Sequence, residues 1–373
     1  MSEIILHTDH LTVGYGDTAV ISGIDLAAER GRLLTLIGPN GAGKSTILKT
    51  LTHQLSPLAG VVSLDGADMS SLRAREIARS VSAVLTGRPA PELMTCGDVV
   101  ATGRYPYTGR LGILSAEDRR ITAESMELVQ VSALRNRDFD RISDGQRQRV
   151  LLARAICQQP RLLIMDEPTS FLDIRHKLDF LYLLRRLARE RNIAVILSLH
   201  ELDLAQRFSD TVLCVRNGRV DRIGSPEEIF QGSYITELYG VEHGSYDPLF
   251  GGVETQRVPG QPELFVIGGG GSGIPVYRLL QRKGIPFAAG VLQESDLDYP
   301  VAKALASELI SVPAFEEISQ SSLEQAFSCI RRCRHLVCTV DAFGAVNDGN
   351  KRLLSYAQKS NLVVPVEALD QIL

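Results

Sequence analysis

The stretch GPNGAGKST (38–46) follows the apolar run LLTLI (33–37) and precedes the helical pattern ILKTLTHQL. Two glycines at the spacing G-x4-G, followed directly by Lys44 and Ser45, complete the pattern of a phosphate-binding loop in its strand–loop–helix context. Backbone N–H groups of such a loop point at phosphate oxygens, and the helix N-terminus adds a partial positive charge. The stretch therefore predicts an α/β fold with a nucleotide phosphate site at the end of a buried strand.

The side chains of this loop have separate expected roles. We expect Lys44 to place a positive charge on the β and γ phosphates, Ser45 to offer a hydroxyl ligand to Mg²⁺, and Thr46 to add a further donor. The residues expected to contact the nucleotide are Gly38, Pro39, Asn40, Gly41, Ala42, Gly43, Lys44, Ser45 and Thr46.

Two further apolar runs end in polar side chains suited to nucleotide hydrolysis. The run RLLIMDEP (161–168) brings Asp166 to the carboxyl end of its strand, where sheets of this class bind ligands. We expect Asp166 to hold Mg²⁺ through water and Glu167 to polarise the attacking water. The run AVILSLHE (194–201) brings His200 to a strand end, where a γ-phosphate sensor would sit.

Length and composition limit the classes of protein that the chain can represent. With 373 residues it has room for two or three domains, and 44% hydrophobic and 23% charged residues are ordinary for a globular protein. The net charge of −4 gives no basic footprint for nucleic acid. The start MSEIILHTDH lacks the features of a signal peptide, and no apolar run has the length of a membrane span. We therefore expect any contact with a membrane to be made through a partner.

The alternation of strand and helix patterns predicts two α/β domains. The first pattern occupies residues 1–250, and a Gly- and Pro-rich stretch follows it. We predict a linker at residues 251–262 and a second domain at 263–373. The five candidate strands of this domain are ELFVIG, PFAAGVL, LISVP, HLVCTV and LVVPV.

Taken together, the motifs of residues 3–240 resemble the ATP-binding cassette of ABC transporters. The resemblance implies a P-loop NTPase with a RecA-like core, an antiparallel β subdomain and a helical subdomain, and with ATP and Mg²⁺ as ligands. The segment ISDGQ (142–146) resembles the LSGGQ signature of this family. By that resemblance it opens a helix that caps the γ-phosphate bound to the other subunit of a homodimer.

The resemblance assigns further residues to this interface and to the nucleotide base. Ser143, Gly145 and Gln146 would act across the dimer, Asp173 of SFLD would reach the other site, and Tyr15 would stack on adenine.

Two positions depart from the family pattern. Asp144 replaces the commoner glycine of the signature, and we expect its side chain to point away from phosphate. Thr86 stands where the family usually has a glutamine that contacts Mg²⁺ and transmits movement to the membrane domain. Its shorter side chain favours a role as a relay only, and Arg88 or Glu92 are alternative contacts for the permease.

The segment GRYPYTGRLG (103–112) resembles the cassettes that serve importers of iron–siderophores, haem and cobalamin. This resemblance implies polytopic permease subunits and, through them, a substrate-binding protein as partners. It also implies a peripheral position on the cytoplasmic face of the cell membrane. The alternative is a soluble regulatory ATPase whose C-terminal domain senses a nucleotide or another small ligand.

The second domain has a glycine-rich loop of its own. In VIGGGGSGIP (266–275), Gly268, Gly270 and Gly273 follow a strand and precede a helix, and Glu294 lies near the spacing of a ribose-binding acid. The pattern predicts a Rossmann-like domain. It leaves open a bound nucleotide or dinucleotide, another small ligand, or a purely structural or partner-docking role.

The six cysteines are most simply explained as reduced, buried side chains. Cys96, Cys157 and Cys214 lie singly in apolar surroundings. A second group could bind metal, but its spacing is unlike that of paired zinc knuckles, and we favour a structural role. Its members are Cys329, Cys333, His335 and Cys338.

Overall fold

The computed structural model describes residues 3–85, 93–109 and 111–369, and the chain divides into two units between Tyr239 and Gly240. The strands described in the first unit are β1 (Ile4–Tyr15), β2 (Thr18–Ile24), β3 (Ala27–Glu29), β4 (Leu33–Ile37), β5 (Ala59–Leu64), β6 (Ala67–Asp68), β7 (Val81–Val84), β8 (Leu162–Met165), β9 (Ala194–Ser198), β10 (Thr211–Arg216) and β11 (Arg219–Gly224). Its helices are α1 (Lys44–Leu51), α2 (Ala74–Ser80), α3 (Cys96–Ala101), α4 (Ala116–Leu128), α5 (Asp144–Cys157), α6 (Ile174–Arg191), α7 (Leu202–Phe208), α8 (Pro226–Ile229) and α9 (Tyr234–Tyr239).

The central part of the first sheet is parallel, in the order β10-β4-β9-β8-β7. Every residue of β4, β8 and β9 is buried. Such strands read as continuous apolar runs because both faces of a parallel sheet are covered. The strands predicted at these three runs are confirmed, and their carboxyl ends lie at one edge of the sheet.

The other part of the same sheet is largely antiparallel, in the order β6-β5-β1-β2-β11, with β3 paired to β1. Strand β11 joins the two parts because it pairs antiparallel with β10 and parallel with β2. Helices α3, α4 and α5 pack on one another as a helical subdomain. The predicted combination of core, antiparallel subdomain and helical subdomain is confirmed.

The second unit contains a hairpin and a four-stranded sheet. Its strands are β12 (Gly244–Asp247), β13 (Gly252–Thr255), β14 (Leu264–Ile267), β15 (Phe287–Gln293), β16 (Glu308–Val312) and β17 (His335–Cys338), and its helices are α10 (Ile274–Arg282), α11 (Asp298–Leu305), α12 (Gln320–Ile330) and α13 (Asp348–Lys359). All neighbours in the order β16-β15-β14-β17 are parallel. Counted within this sheet the order is 3-2-1-4, which is the start of the Rossmann arrangement.

Two details of the second unit differ from the sequence prediction. The segment predicted as a linker, 251–262, contains β13, which forms the hairpin with β12. Its glycines serve the hairpin turn, where Gly251 has a φ of 64°. The fifth candidate strand, LVVPV, forms only one bridge, between Leu336 and Val363. Pairing stops there because Pro365 has no N–H to donate.

No helix in the described ranges combines the length and the apolar character that crossing a bilayer requires.

Candidate functional site

The phosphate-binding loop begins where β4 ends. Gly38 has a φ of 145°, and a methyl group at this position would lie 2.2 Å from the carbonyl oxygen of Val215. Only glycine therefore fits here. The N–H of Gly38 donates to the hydroxyl oxygen of Tyr239 at 3.0 Å, and Gly43, with a φ of 102°, leads directly into α1.

Lys44 is folded back over this loop. Its Nζ donates to the carbonyl oxygens of Gly38 at 2.6 Å and Pro39 at 3.0 Å, and only 6% of the residue is exposed. Burial lowers the pKa of Lys44, and the neighbouring carboxylates of Glu167 and Asp166 oppose this effect. The lysine charge thus lies beside the two acids that the sequence singled out.

Asp166 and Glu167 are fixed by a serine on the neighbouring strand. Ser198 is fully buried, and its hydroxyl donates to Asp166 Oδ1 at 2.7 Å while it accepts the N–H of Glu167 at 2.9 Å. Glu167 has a φ of 48°, a left-handed conformation that is uncommon for a residue other than glycine. One hydroxyl therefore holds both the buried acid and the turn that follows it.

The Glu167 carboxylate has two side-chain partners. Its Oε1 lies 2.5 Å from His200 Nε2, and its Oε2 accepts the hydroxyl of Ser170 at 3.2 Å. The structure thus brings together Lys44, Asp166, Glu167 and His200, the four residues that the sequence singled out, and adds Ser170.

Ser198 was not found from the sequence. A serine at the end of the apolar run AVILS has no motif of its own, and its partners are 31 and 32 positions away. The available signal was a small hydroxyl residue on a strand predicted to end beside RLLIMDEP.

The remaining residues of the loop lie around this cluster. Thr46 is buried, and its hydrogen bond to Tyr15 lowers the pKa of the tyrosine, whose ring is half exposed at the end of β1. Ser45 is partly exposed, and Asn40 and Gly41 face solvent. Tyr15 thus lies at the loop, which is where a ring that stacks on the nucleotide base would be needed.

The signature residues lie at the first turn of α5. Ser143 caps this helix: its Oγ accepts the N–H of Gln146 at 3.3 Å, and the Gln146 side chain accepts the N–H of Ser143 at 3.2 Å. A methyl group on Gly145 would lie 3.4 Å from the His176 ring. Asp144 accepts from Arg147 Nη1 at 3.1 Å.

The start of α6 therefore lies beside the start of α5. Asp173 caps α6 by accepting the N–H of His176 at 2.9 Å, and its carboxylate also lies 2.8 Å from His176 Nδ1. Both hydrogen bonds lower the pKa of Asp173. Two helix N-termini, each with a partial positive charge, are exposed next to each other.

The segment GRYPYTGRLG is held to the helical subdomain by the buried side chain of Arg104. Arg104 is buried, pairs with Asp118 at 2.9 Å and donates to the carbonyl oxygen of Cys157 at 2.8 Å. This anchoring leaves Tyr105, Leu111 and Ile113 exposed, the last two by 84% and 71%. The predictions for Thr86, Arg88 and Glu92 fall outside the described residues.

The structure describes the six cysteines as free thiols. Cys96, Cys157 and Cys214 are buried free thiols. Within the described ranges, the one group of three His, Cys, Asp or Glu side chains with converging ligand atoms is Asp9, His10 and Asp25, so the set around Cys329 does not converge.

Three features define a P-loop nucleotide hydrolase. They are a loop at a strand end whose conformation requires glycine, a buried lysine that folds over this loop, and an Asp–Glu pair held beside that lysine. Comparisons with known proteins refine this class. The family model described as "ABC transporter" matches residues 21–170, and the MJ0874 family model matches residues 287–371.

Three relatives illustrate the similarity. An uncharacterized ABC transporter ATP-binding protein of Methanocaldococcus jannaschii is 42% identical over 77% of this chain and 100% of its own length. The iron(3+)-hydroxamate import ATP-binding protein of Bacillus subtilis is 35% identical over 64% and 88%, respectively. The cobalamin import ATP-binding protein of Halobacterium salinarum is 32% identical over 85% and 81%. The chain therefore belongs to the family of ABC transporter ATP-binding proteins, which are ATPases.

Solved structures share the fold. One of them, the dimeric structure of a bacterial ABC transporter cassette, is 24% identical with a TM-score of 0.53, and the match covers 60% of this chain and 99% of that one.

Proposed function

We propose that this chain is the ATP-hydrolysing subunit of an importer for an iron–siderophore, haem or cobalamin-type compound. The observation that carries the ATPase part is the Glu167 carboxylate, held by His200 and Ser170 beside Asp166 and Lys44. The import part is supported by two relatives named as import ATP-binding proteins for an iron(3+)-hydroxamate and for cobalamin.

Each residue has a defined task in this proposal. The P-loop amides and Lys44 bind the phosphates of ATP, and Tyr15 stacks on its base. Ser45 and Asp166 hold Mg²⁺; this donor set suits the ion because Mg²⁺ prefers oxygen ligands. When bound, the ion neutralises charge on the phosphates. Glu167 polarises the attacking water, and His200 keeps the carboxylate oriented and senses the γ-phosphate.

We propose further that two copies form a head-to-tail homodimer. Ser143, Gly145 and Gln146 offer a helix N-terminus rather than reactive side chains, which suits capping of a phosphate bound to the partner. Asp173 lies beside them, followed by Ile174 with 79% of its surface exposed. An exposed apolar side chain at such a point fits a contact surface between subunits.

The permease is the partner expected at the helical subdomain. Arg104 and Asp118 form a buried ion pair in this subdomain, and the nearby residues Tyr105, Leu111 and Ile113 are exposed and available for contact. In this proposal the chain is peripheral on the cytoplasmic face of the membrane, and a substrate-binding protein delivers the cargo to the permease from the other side.

Affinity capture of the full chain from a detergent extract tests this proposal. Recovery of a polytopic permease, lost when Leu111 and Ile113 are replaced by aspartate, supports the importer. Capture without any permease, together with ATP hydrolysis that no membrane fraction stimulates, would favour the regulatory ATPase instead.

A further inference from the structure

The glycine-rich loop of the second unit lies where Rossmann sheets bind their ligands. In the order β16-β15-β14-β17, the reversal of strand order falls between β14 and β17, and the loop Gly268–Gly273 follows β14. In a dinucleotide-binding sheet, the pyrophosphate lies at the N-terminus of the helix that comes next. Here that helix is α10.

A carboxylate of the chain itself takes this place. Asp298 accepts the N–H of Gly273 at 3.0 Å on Oδ2 and the N–H of Ile274 at 3.1 Å on Oδ1, and none of the residue is exposed. Asp296 accepts the N–H of Gly270 at 3.0 Å and that of Asp298 at 2.8 Å. The amides that would bind phosphate oxygens therefore already donate to carboxyl oxygens of the chain itself.

The glycines of the motif are explained by the same packing. A methyl group on Gly268 would lie 2.4 Å from the Tyr277 hydroxyl oxygen and 2.8 Å from Asp298 Oδ2, and one on Gly273 would lie 2.5 Å from that hydroxyl. Tyr277 is fully buried and stacks on Phe287. Both glycines thus leave room for an internal tyrosine and aspartate, so the motif does not need a phosphate to account for it.

The charge around the loop also disfavours phosphate. The described segments at the carboxyl ends of the four strands, 268–273, 294–297, 313–319 and 339–347, contain no lysine or arginine. Their acidic residues are Glu294, Asp296, Glu316, Glu317 and Asp341.

We propose that Asp298 is the permanent internal ligand of the α10 N-terminus, and that this loop binds neither a nucleotide nor a dinucleotide. Glu294, which the spacing offered as a ribose-binding acid, is exposed at the end of β15 and has no such role. The second unit is then not a nucleotide sensor, whatever the cassette does with ATP.

The first test measures binding of NAD⁺ to the full chain by equilibrium dialysis. Lys44→Ala is used as the background so that the P-loop of the first unit does not contribute. We expect no saturable binding up to about 1 mM NAD⁺, a concentration at which even a weak site would be occupied. Saturable binding that Gly270→Ala abolishes would overturn the proposal.

The second test asks whether the space holds a carboxylate. Asp298→Ala leaves the amides of Gly273 and Ile274 without an acceptor, and we expect the second unit to melt at least about 5 °C lower. Sodium formate at about 0.1 M should raise this melting temperature more than chloride does, because it refills the site. The control, Glu294→Ala, removes an exposed acid and should show neither effect.

An Asp298→Ala chain that melts like the natural protein would contradict the assignment. If that variant does not fold, the dialysis experiment on the otherwise natural second unit still decides the question.

Discussion

At the scale of single residues, the cassette depends on how firmly the Glu167 carboxylate is held. Its two oxygens have different partners, His200 and Ser170, and its backbone N–H is fixed by Ser198. If Glu167 is the base, as we propose, its carboxylate acts on the attacking water and not on the bound nucleotide, so its removal should affect turnover and not nucleotide binding.

The variant Glu167→Gln tests this role. It should bind ATP normally but turn over about 10²–10⁴ times more slowly, which is the usual contribution of a positioned base. Because the ATP-bound dimer would open only after hydrolysis, slow hydrolysis should make it accumulate, and a dimer should be seen on size exclusion with ATP. Glu190→Gln, an exposed acid on α6, is the matched control. A Glu167→Gln chain that stays monomeric with excess MgATP and hydrolyses normally would refute the assignment.

Ser198 should act through the acids that it holds. Ser198→Ala removes the donor to Asp166 and the acceptor for Glu167, and we expect kcat to fall about tenfold or more, at about 1.4 kcal/mol of barrier for each factor of ten. It should also raise the Mg²⁺ concentration needed for half-maximal activity. Ser198→Thr keeps the hydroxyl and should restore both. Equal loss in both variants would show that only packing matters at this position.

If the signature caps a phosphate, as we propose, the Asp144–Arg147 pair would let it tolerate an acid. Asp144 lies at the first position of α5, where its charge would oppose a phosphate, and Arg147 neutralises it at 3.1 Å. Arg147→Gln should raise KM for ATP about tenfold, or about 1.4 kcal/mol. The same change made in an Asp144→Asn background should raise it less than about twofold. Equal effects in both backgrounds would show that Arg147 acts through its packing on Phe139 instead.

Motif residues could be predicted because their chemistry requires fixed spacing along the chain. Asp166, Glu167 and His200 follow apolar runs, Lys44 follows the glycine-rich loop after another, and the structure brings the four together. Ser198 and the Asp298 carboxylate were not predicted because their partners are set by packing between strands, which the linear order does not show.

At the scale of elements, the strands that are buried on both faces were predicted from their pattern. The runs at β4, β8, β9 and β14 are short, largely apolar and buried at every residue, so pattern alone identified them. The hairpin β12–β13 was missed because glycine and proline mark turns and linkers alike.

The N-termini of α1 and α5 provide a test of the two-subunit site. Lys44→Ala damages the P-loop half and Ser143→Arg the signature half. Mixed subunits should form heterodimers with one intact composite site, and some ATPase activity should return relative to either variant alone. Titrating the ratio of the two variants should give a maximum near equal amounts. Activity that never exceeds that of the separate variants would contradict sharing across the interface.

At the scale of the whole molecule, the last helix of the first unit belongs to the nucleotide site. Tyr239 ends α9 and accepts the N–H of Gly38, the first residue of the phosphate-binding loop. Tyr234, Ile235 and Leu238 of the same helix are buried. We therefore expect a cassette that folds alone to need the chain up to Tyr239, where the first unit ends.

Chains truncated after residue 239 and after residue 232 should behave differently. The longer chain keeps all of α9, and we expect its kcat and KM for ATP within about twofold of the full chain, since a unit with its own core can fold alone. The shorter chain loses three buried side chains worth about 1.5–3 kcal/mol each, a large part of a typical 5–15 kcal/mol of folding free energy. It should melt well below the longer one and bind ATP weakly.

Tyr239→Phe in the full chain separates the hydroxyl contact from this packing, because it should weaken ATP binding with little change in melting temperature. If the longer chain folds normally but no longer hydrolyses ATP, the second unit takes part in turnover, and its role cannot be confined to docking or structure.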